Sequence, residues 1–210
     1  STQGYSSAAS DVYKRQTDKL TVENATSATI YISAATDYKN DYPEYRTGET
    51  AEELDARVGD VIEALDGKSY EEVKADHIAD YKSIFDRVDL DLGQALPNIP
   101  TDELLSGYGN NTVSEEARRA LEVMFFQYGR YLTIASSRED SQLPSNLQGV
   151  WNNKNNPAWS SDYHMNVNLQ MNYWPTYSTN MAECATPLVE YIDSLREPGR
   201  ETARIYAGVE

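Results

Sequence analysis

Cysteine is nearly absent: Cys184 stands alone, so no disulfide can form within the chain, and a lone cysteine reads first as a small apolar residue rather than a nucleophile. Positive charge is also scarce. The chain carries 18 Lys and Arg against 34 Asp and Glu, a formal net charge of −16, which repels nucleic acid and anionic membrane surfaces and excludes polyanionic partners. No stretch reaches the roughly 18 consecutive apolar residues a membrane-spanning helix needs, so no membrane insertion is expected. There is no glycine-rich phosphate loop and no Ser, His and acid set in a known context. Asp162 beside His164 has no third ligand at metal spacing, so neither a metal nor a cofactor is expected, and Asp162 reads as a turn or cap residue. The sequons at Asn24 and Asn110 are three-residue patterns too common by chance to carry chemistry.

What the chain does have is a row of neutral polar residues. From His164 to Asn172 every second residue carries a neutral hydrogen-bonding side chain, and Met165, Val167, Leu169 and Met171 alternate with them. On an extended backbone the period of two places His164, Asn166, Asn168, Gln170 and Asn172 on one face. A solvated strand face normally carries charge, and Met165 to Pro175 carries none. The row therefore reads as a pocket lining or a buried polar network. Amides and imidazoles both donate and accept, as sugar hydroxyls require, and flat apolar walls suit the C–H faces of a sugar ring. Trp151, Trp159, Tyr163, Tyr173 and Trp174 offer such walls, and all three tryptophans of the chain lie in this neighbourhood.

Along the chain, residues 1–18 are small, polar and without periodicity, and form an unassigned lead-in. The β-branched and aromatic run from Ala28 to Ala35 predicts a strand, and Val88 to Leu92 alternates like a second, short one. Between them Leu54, Val58, Val61, Ile62 and Leu65 form a helical stripe stopped by Gly67. Ser69 with Glu72 is a capping box opening a second helix, whose stripe of Val73, His77, Tyr81, Ile84, Phe85 and Val88 takes His77 into the packing. Pro97 to Pro100 reads as a linker with a domain boundary nearby. Thr112 with Glu115 reads as another capping box. It opens a helix of roughly six turns along Ala117, Ala120, Leu121, Met124, Phe125, Tyr128, Leu132 and Ala135. Thr186-Pro187 predicts a further helix start, and Pro198-Gly199 a break or kink before Arg200 to Ala207.

Four segments together, Leu143 to Asn152, Asn155 to Trp159, His164 to Pro175 and Glu197 to Arg200, resemble the start of the catalytic domain of glycoside hydrolase family 95. The likeness is densest over residues 115–207, and Arg87 to Gly93 is similar to that family's linker region. The resemblance implies a mainly α fold with a minor β part: an incomplete (α/α)6 barrel preceded by a helical linker and the last strands of a β-sandwich. On that frame residues 19–40 are the end of the sandwich, 41–111 the linker with a short strand, and 112–210 the first part of the barrel. The implied activity is an inverting α-L-fucosidase, chiefly on α-1,2-linked terminal fucose, acting on fucosylated oligosaccharides outside the cell or in the periplasm.

The resemblance also implies roles. Asn166 and Asn168 hold the attacking water, with Asn168 as the base, and His164 contacts the fucose hydroxyls; the residues' own chemistry, as read above, adds Trp151, Trp159 and Asn172 as substrate-binding. A carboxamide is too weak a base alone, so the family places a carboxylate behind it and a glutamic acid at the leaving oxygen. Both are expected after residue 210, leaving the 210-residue chain inactive by itself, while Asp162, Glu183 and Glu197 serve turns and helix surfaces. Two other readings stand beside this one: a non-catalytic carbohydrate-binding or structural helical module, and an α-L-galactosidase of the same family.

Overall fold

The computed structural model describes residues 23–209. The lead-in assigned to residues 1–18 and the first residues of the expected sandwich segment lie outside them. Among the described residues the fold is mainly helical with almost no strand, and it divides into two compact units within a helix, after Ile78, upstream of the expected linker at Pro97 to Pro100. No helix of the described residues is long and apolar enough to cross a membrane.

The first unit is organised by α1, Ala51–Glu63. Thr50 and Glu53 close a reciprocal capping box, Thr50 N–H donating to Glu53 Oε2 at 2.8 Å and Glu53 N–H to Thr50 Oγ1 at 3.2 Å. Arg57 leaves this helix to grip Glu49 through Nε and Nη2 at 2.7 and 2.9 Å, and donates from Nη2 to Thr36 O at 3.1 Å. The strand expected over Ala28 to Ala35 does not form, and Ile32 is 87% exposed. A strand exists only where a neighbour takes its N–H and C=O groups, and here the nearest pairing is the isolated antiparallel bridge between Tyr38 and Arg46.

The second helix, α2 (Tyr70–Phe85), opens at the Ser69 and Glu72 capping box, with Glu72 N–H donating to Ser69 Oγ at 3.3 Å and Ser69 N–H to Glu72 Oε2 at 2.8 Å. His77 does not join its packing; it is exposed. The second unit continues with α3 (Thr101–Asn110) and α4 (Glu115–Ser136). Close approach of Val113 to Gly107 requires glycine, because a Cβ there would meet Val113 Cγ1 at 2.6 Å. The cap of α4 is Ser114, whose Oγ accepts from Ala117 N–H at 3.2 Å, and not Thr112.

The buried face of α4 is also turned from the expected stripe. Ala117 and Ala120 are buried, but Phe125 is 80% exposed and Tyr128 is exposed as well, whereas Arg130 and Ile134 lie inside. Arg130 explains the turn. Its guanidinium donates to Ile84 O at 3.1 Å, Phe85 O at 2.8 Å and Val88 O at 3.3 Å, capping the end of α2, and lies 5.1 Å from the Phe85 ring centre. Burial pulls its pKa below the ordinary arginine value. Those bonds, with Gln127 Nε2 donating to Val88 O at 3.1 Å, also consume a carbonyl that the expected strand at Val88 to Leu92 would need, and that segment stays irregular.

Ile84, Ile134, Met181 and Cys184 form one apolar cluster, with Tyr81 and Phe85 against it. Desolvation there pushes the Cys184 thiol up from its ordinary value, in keeping with an apolar role. Leu169, Tyr173 and Ala185 form a second, flanked by Tyr163, Met165, Leu188 and Tyr191. The chain after α4 runs without regular structure to a short 3-10 turn at Ala158–Ser161. It then forms α5 (Asn168–Tyr173), α6 (Pro175–Ser178), a 3-10 turn at Ala182–Ala185, α7 (Thr186–Ser194) and α8 (Arg196–Ala207). Helix α7 starts at Thr186-Pro187 as expected. No break occurs at Pro198-Gly199: Pro198 sits in the first turn of α8, where its missing N–H costs nothing, and Gly199 N–H bonds Leu195 O at 2.9 Å.

Candidate functional site

The polar row is not a strand. Residues 165–167 form a turn and α5 begins at Asn168, closed by Leu169 N–H to His164 O at 3.0 Å and Met171 N–H to Val167 O at 2.9 Å. The period of two was misleading because Leu169 and Tyr173, four apart, are the residues that the core takes, and that spacing winds the segment as a helix. The five polar residues therefore part company. His164 and Asn168 line a cleft of about 350 Å³ with Leu147 and Trp159. Asn172 and Trp151 line a separate cleft of about 260 Å³ with Ser136, Ser145, Gln148 and Gly149. Asn166 is exposed in the turn between them in sequence, and Gln170 donates inward to Met165 O.

In the first cleft the His164 ring is held from two sides. Its Nε2 lies 2.9 Å from Asp162 Oδ1, and Trp159 meets it edge to face with ring centres 5.8 Å apart and planes at 80°. Trp159 is 77% exposed, a flat apolar surface beside the imidazole. Trp159, Ser160 and Ser161 all take left-handed conformations, at φ 53°, 56° and 49°, a run that non-glycine residues seldom adopt. Bonds around it hold the run: Ser160 N–H donates to Pro157 O at 3.2 Å, Asp162 N–H to Trp159 O at 3.2 Å, and Ser161 Oγ to Gln148 Oε1.

In the second cleft Trp151 packs on Gly149. That residue has φ of 65°, and a Cβ there would lie 2.5 Å from the indole, so glycine is required twice over. Asn172 Nδ2 donates to Asn146 O at 3.1 Å, fixing the amide to the loop.

Of the expected aromatic walls, Tyr163 and Tyr173 belong to the core instead. Tyr163 donates to Pro144 O at 3.1 Å and packs against Tyr191 at 4.8 Å. Tyr173 is buried, and its hydroxyl accepts from Ser145 N–H at 2.7 Å and lies 2.8 Å from Ser137 Oγ, which bonds Cys184 O at 2.8 Å. This hydroxyl joins the 137–145 loop to α5, a role no periodicity marks. Leu147 was also missed, since its place in the cleft is set by loop geometry. Glu183 pairs with Arg87 at 2.6 Å and Glu197 with Arg200 at 3.3 Å, both away from the cleft.

Comparison with known proteins gives the geometry its context. The model of the glycosyl hydrolase family 95 catalytic domain matches residues 69–210. The alpha-L-fucosidase 2 of Arabidopsis thaliana is 35% identical over 193 residues, 90% of this chain and 22% of that protein. The probable alpha-fucosidase A of Aspergillus niger is 44% identical over 146 residues, 67% of this chain and 17% of the relative. That of Aspergillus oryzae is 35% identical over 199 residues, 91% of this chain and 27% of the relative. The chain thus spans about a quarter or less of the length of these relatives. With the family model covering residues 69–210, well over half its length, the chain belongs to glycosyl hydrolase family 95.

Proposed function

We propose that this chain is part of a glycosidase that releases terminal α-L-fucose, α-1,2-linked, from oligosaccharides with inversion at the anomeric carbon. The observation that carries the reading is that a family 95 chain brings Trp159, His164 and Asn168 to one cleft. That set combines an apolar plate, an imidazole and an amide, a combination suited to a deoxy sugar with one methyl and several hydroxyls. Asn168, with Asn166 two residues before it, orients the attacking water. An amide oxygen cannot accept the water's proton outright, so a carboxylate polarises it and a second carboxyl group protonates the leaving oxygen. His164 binds the sugar hydroxyls, and Trp151 and Asn172, in the neighbouring cleft, engage the rest of the glycan.

The test uses the full-length protein carrying these residues and a 2-fucosylated oligosaccharide, followed by proton NMR from the first turnovers. β-L-Fucose should appear first. Initial α-L-fucose means retention and overturns the mechanism, and absence of fucose release overturns the substrate. The matching L-galactoside, which differs by a hydroxyl on C6, should be cleaved more slowly; faster cleavage would reassign the enzyme as an L-galactosidase.

A further inference from the structure

A neutral imidazole donates from one nitrogen and accepts at the other, and its hydrogen-bond partner decides which is which. The Asp162 carboxylate stands 2.9 Å from His164 Nε2, an ion-pair contact that sets an anionic oxygen against that nitrogen and disfavours a bare lone pair there. An ionised carboxylate only accepts, so the proton of a neutral His164 belongs on Nε2, and Nδ1 is left as an acceptor. The backbone that carries this carboxylate is anchored. Asp162 donates its N–H to Trp159 O at 3.2 Å and accepts at its own carbonyl from Leu147 N–H at 3.2 Å, so it is bonded to both neighbours that line the cleft. Trp159 completes the clamp by its edge-to-face contact with the imidazole.

We propose that Asp162 is a positioning residue that holds His164 as the Nε2–H tautomer, presenting Nδ1 to the cleft as an acceptor for a sugar hydroxyl. The identity of the sugar rests on the fucosidase reading; the tautomer does not. His164 recognises a hydroxyl as a donor, and that hydroxyl's oxygen stays free to accept from a neighbouring amide such as Asn168.

Two arms test it separately. The chain contains two histidines, and His77 is exposed on α2, so it serves as an internal reference. Long-range proton–nitrogen NMR of the histidine-labelled full-length protein, with the His164 signal assigned by its loss in His164→Gln, at about pH 8.5 where an ordinary imidazole is neutral, reads the tautomers directly. His164 should show a larger Nε2–H population than His77, and Asp162→Ala should bring it to the His77 distribution. Equal populations in the unsubstituted protein, or no change in Asp162→Ala, would overturn the proposal. In the full-length protein, Asp162→Asn can turn its amide and donate to Nε2, reversing the tautomer. KM for an α-L-fucoside should then rise about 3- to 10-fold, the loss of one hydrogen bond, while for the monodeoxy fucoside lacking the contacted hydroxyl it should change less than about twofold. An equal KM penalty on the fucoside and every monodeoxy analogue would reduce Asp162 to a structural role. If the unsubstituted protein cleaves no fucoside at all, the fucosidase reading fails and the NMR arm still decides the tautomer.

Discussion

Single atoms hold the site together at Tyr173 and Gly149. The Tyr173 hydroxyl is the partner of the buried Ser145 N–H, so Tyr173→Phe leaves that donor unsatisfied and should destabilise the second unit by about 1–3 kcal/mol, read by thermal or denaturant unfolding. A loss below a few tenths of a kcal/mol would mean that the 137–145 loop is not held through this bond. Gly149→Ala meets two obstacles, a left-handed backbone and the Trp151 ring 2.5 Å from the new Cβ. The indole has to move, and tryptophan fluorescence should report it together with about 1–2 kcal/mol of lost stability. At the chemical end of the site, Asn168→Ala in the full-length protein should lower the rate of fucose release by about 10² to 10⁴. Activity within a few-fold of the unsubstituted protein would remove Asn168 from the mechanism.

Helix boundaries were largely legible from local chemistry, and helix faces and strands were not. The Ser69 and Glu72 capping box and the Thr186-Pro187 start needed only neighbouring residues, and both formed. The face of α4 needed knowledge of what lay opposite. Arg130, counted as polar in any stripe, is buried because the open carbonyls at the end of α2 call for donors, and Phe125 is left outside as a result. The polar row failed for a similar reason: alternation over nine residues fits a strand, but Leu169 and Tyr173 at helical spacing find a core, and the helix wins. What the sequence did carry for the site was composition, since Trp159, His164 and Asn168 do share a cleft even though the geometry that assembles it is a turn and a left-handed run. One tie between elements has a pH dependence. Burial would raise the Glu183 carboxyl, but its own backbone N–H and the Arg87 guanidinium outweigh that and hold it below its ordinary value. A depressed carboxyl stabilises the fold above its unfolded value of about 4.3 and loses that contribution as pH falls through the folded value. Glu183→Gln should therefore flatten part of the fall in melting temperature below about pH 4.3 and lower the melting temperature at neutral pH; an unchanged acid limb would show that the pair does not couple to folding.

For the molecule as a whole, the question is how much of the reaction these residues can perform. The proposed inversion needs two carboxyl groups, one protonating the leaving oxygen and one polarising the amide that holds the water. The residues lining the cleft with Asn168 are Leu147, Trp159 and His164, and none is a carboxylic acid. Asp162, the nearest acid in sequence, is occupied by His164 Nε2, while Glu183 and Glu197 are paired with arginines elsewhere. Among the described residues the cleft therefore offers an apolar plate, an imidazole and an amide, with no carboxylic acid in its lining. The 210-residue chain should bind the sugar weakly and not cleave it. Incubating the chain with a 2-fucosylated oligosaccharide, at concentrations where the full-length protein turns over readily, should release no fucose above the uncatalysed background. Release that disappears in Asn168→Ala would mean that an acid among these 210 residues reaches the cleft, and would overturn this prediction.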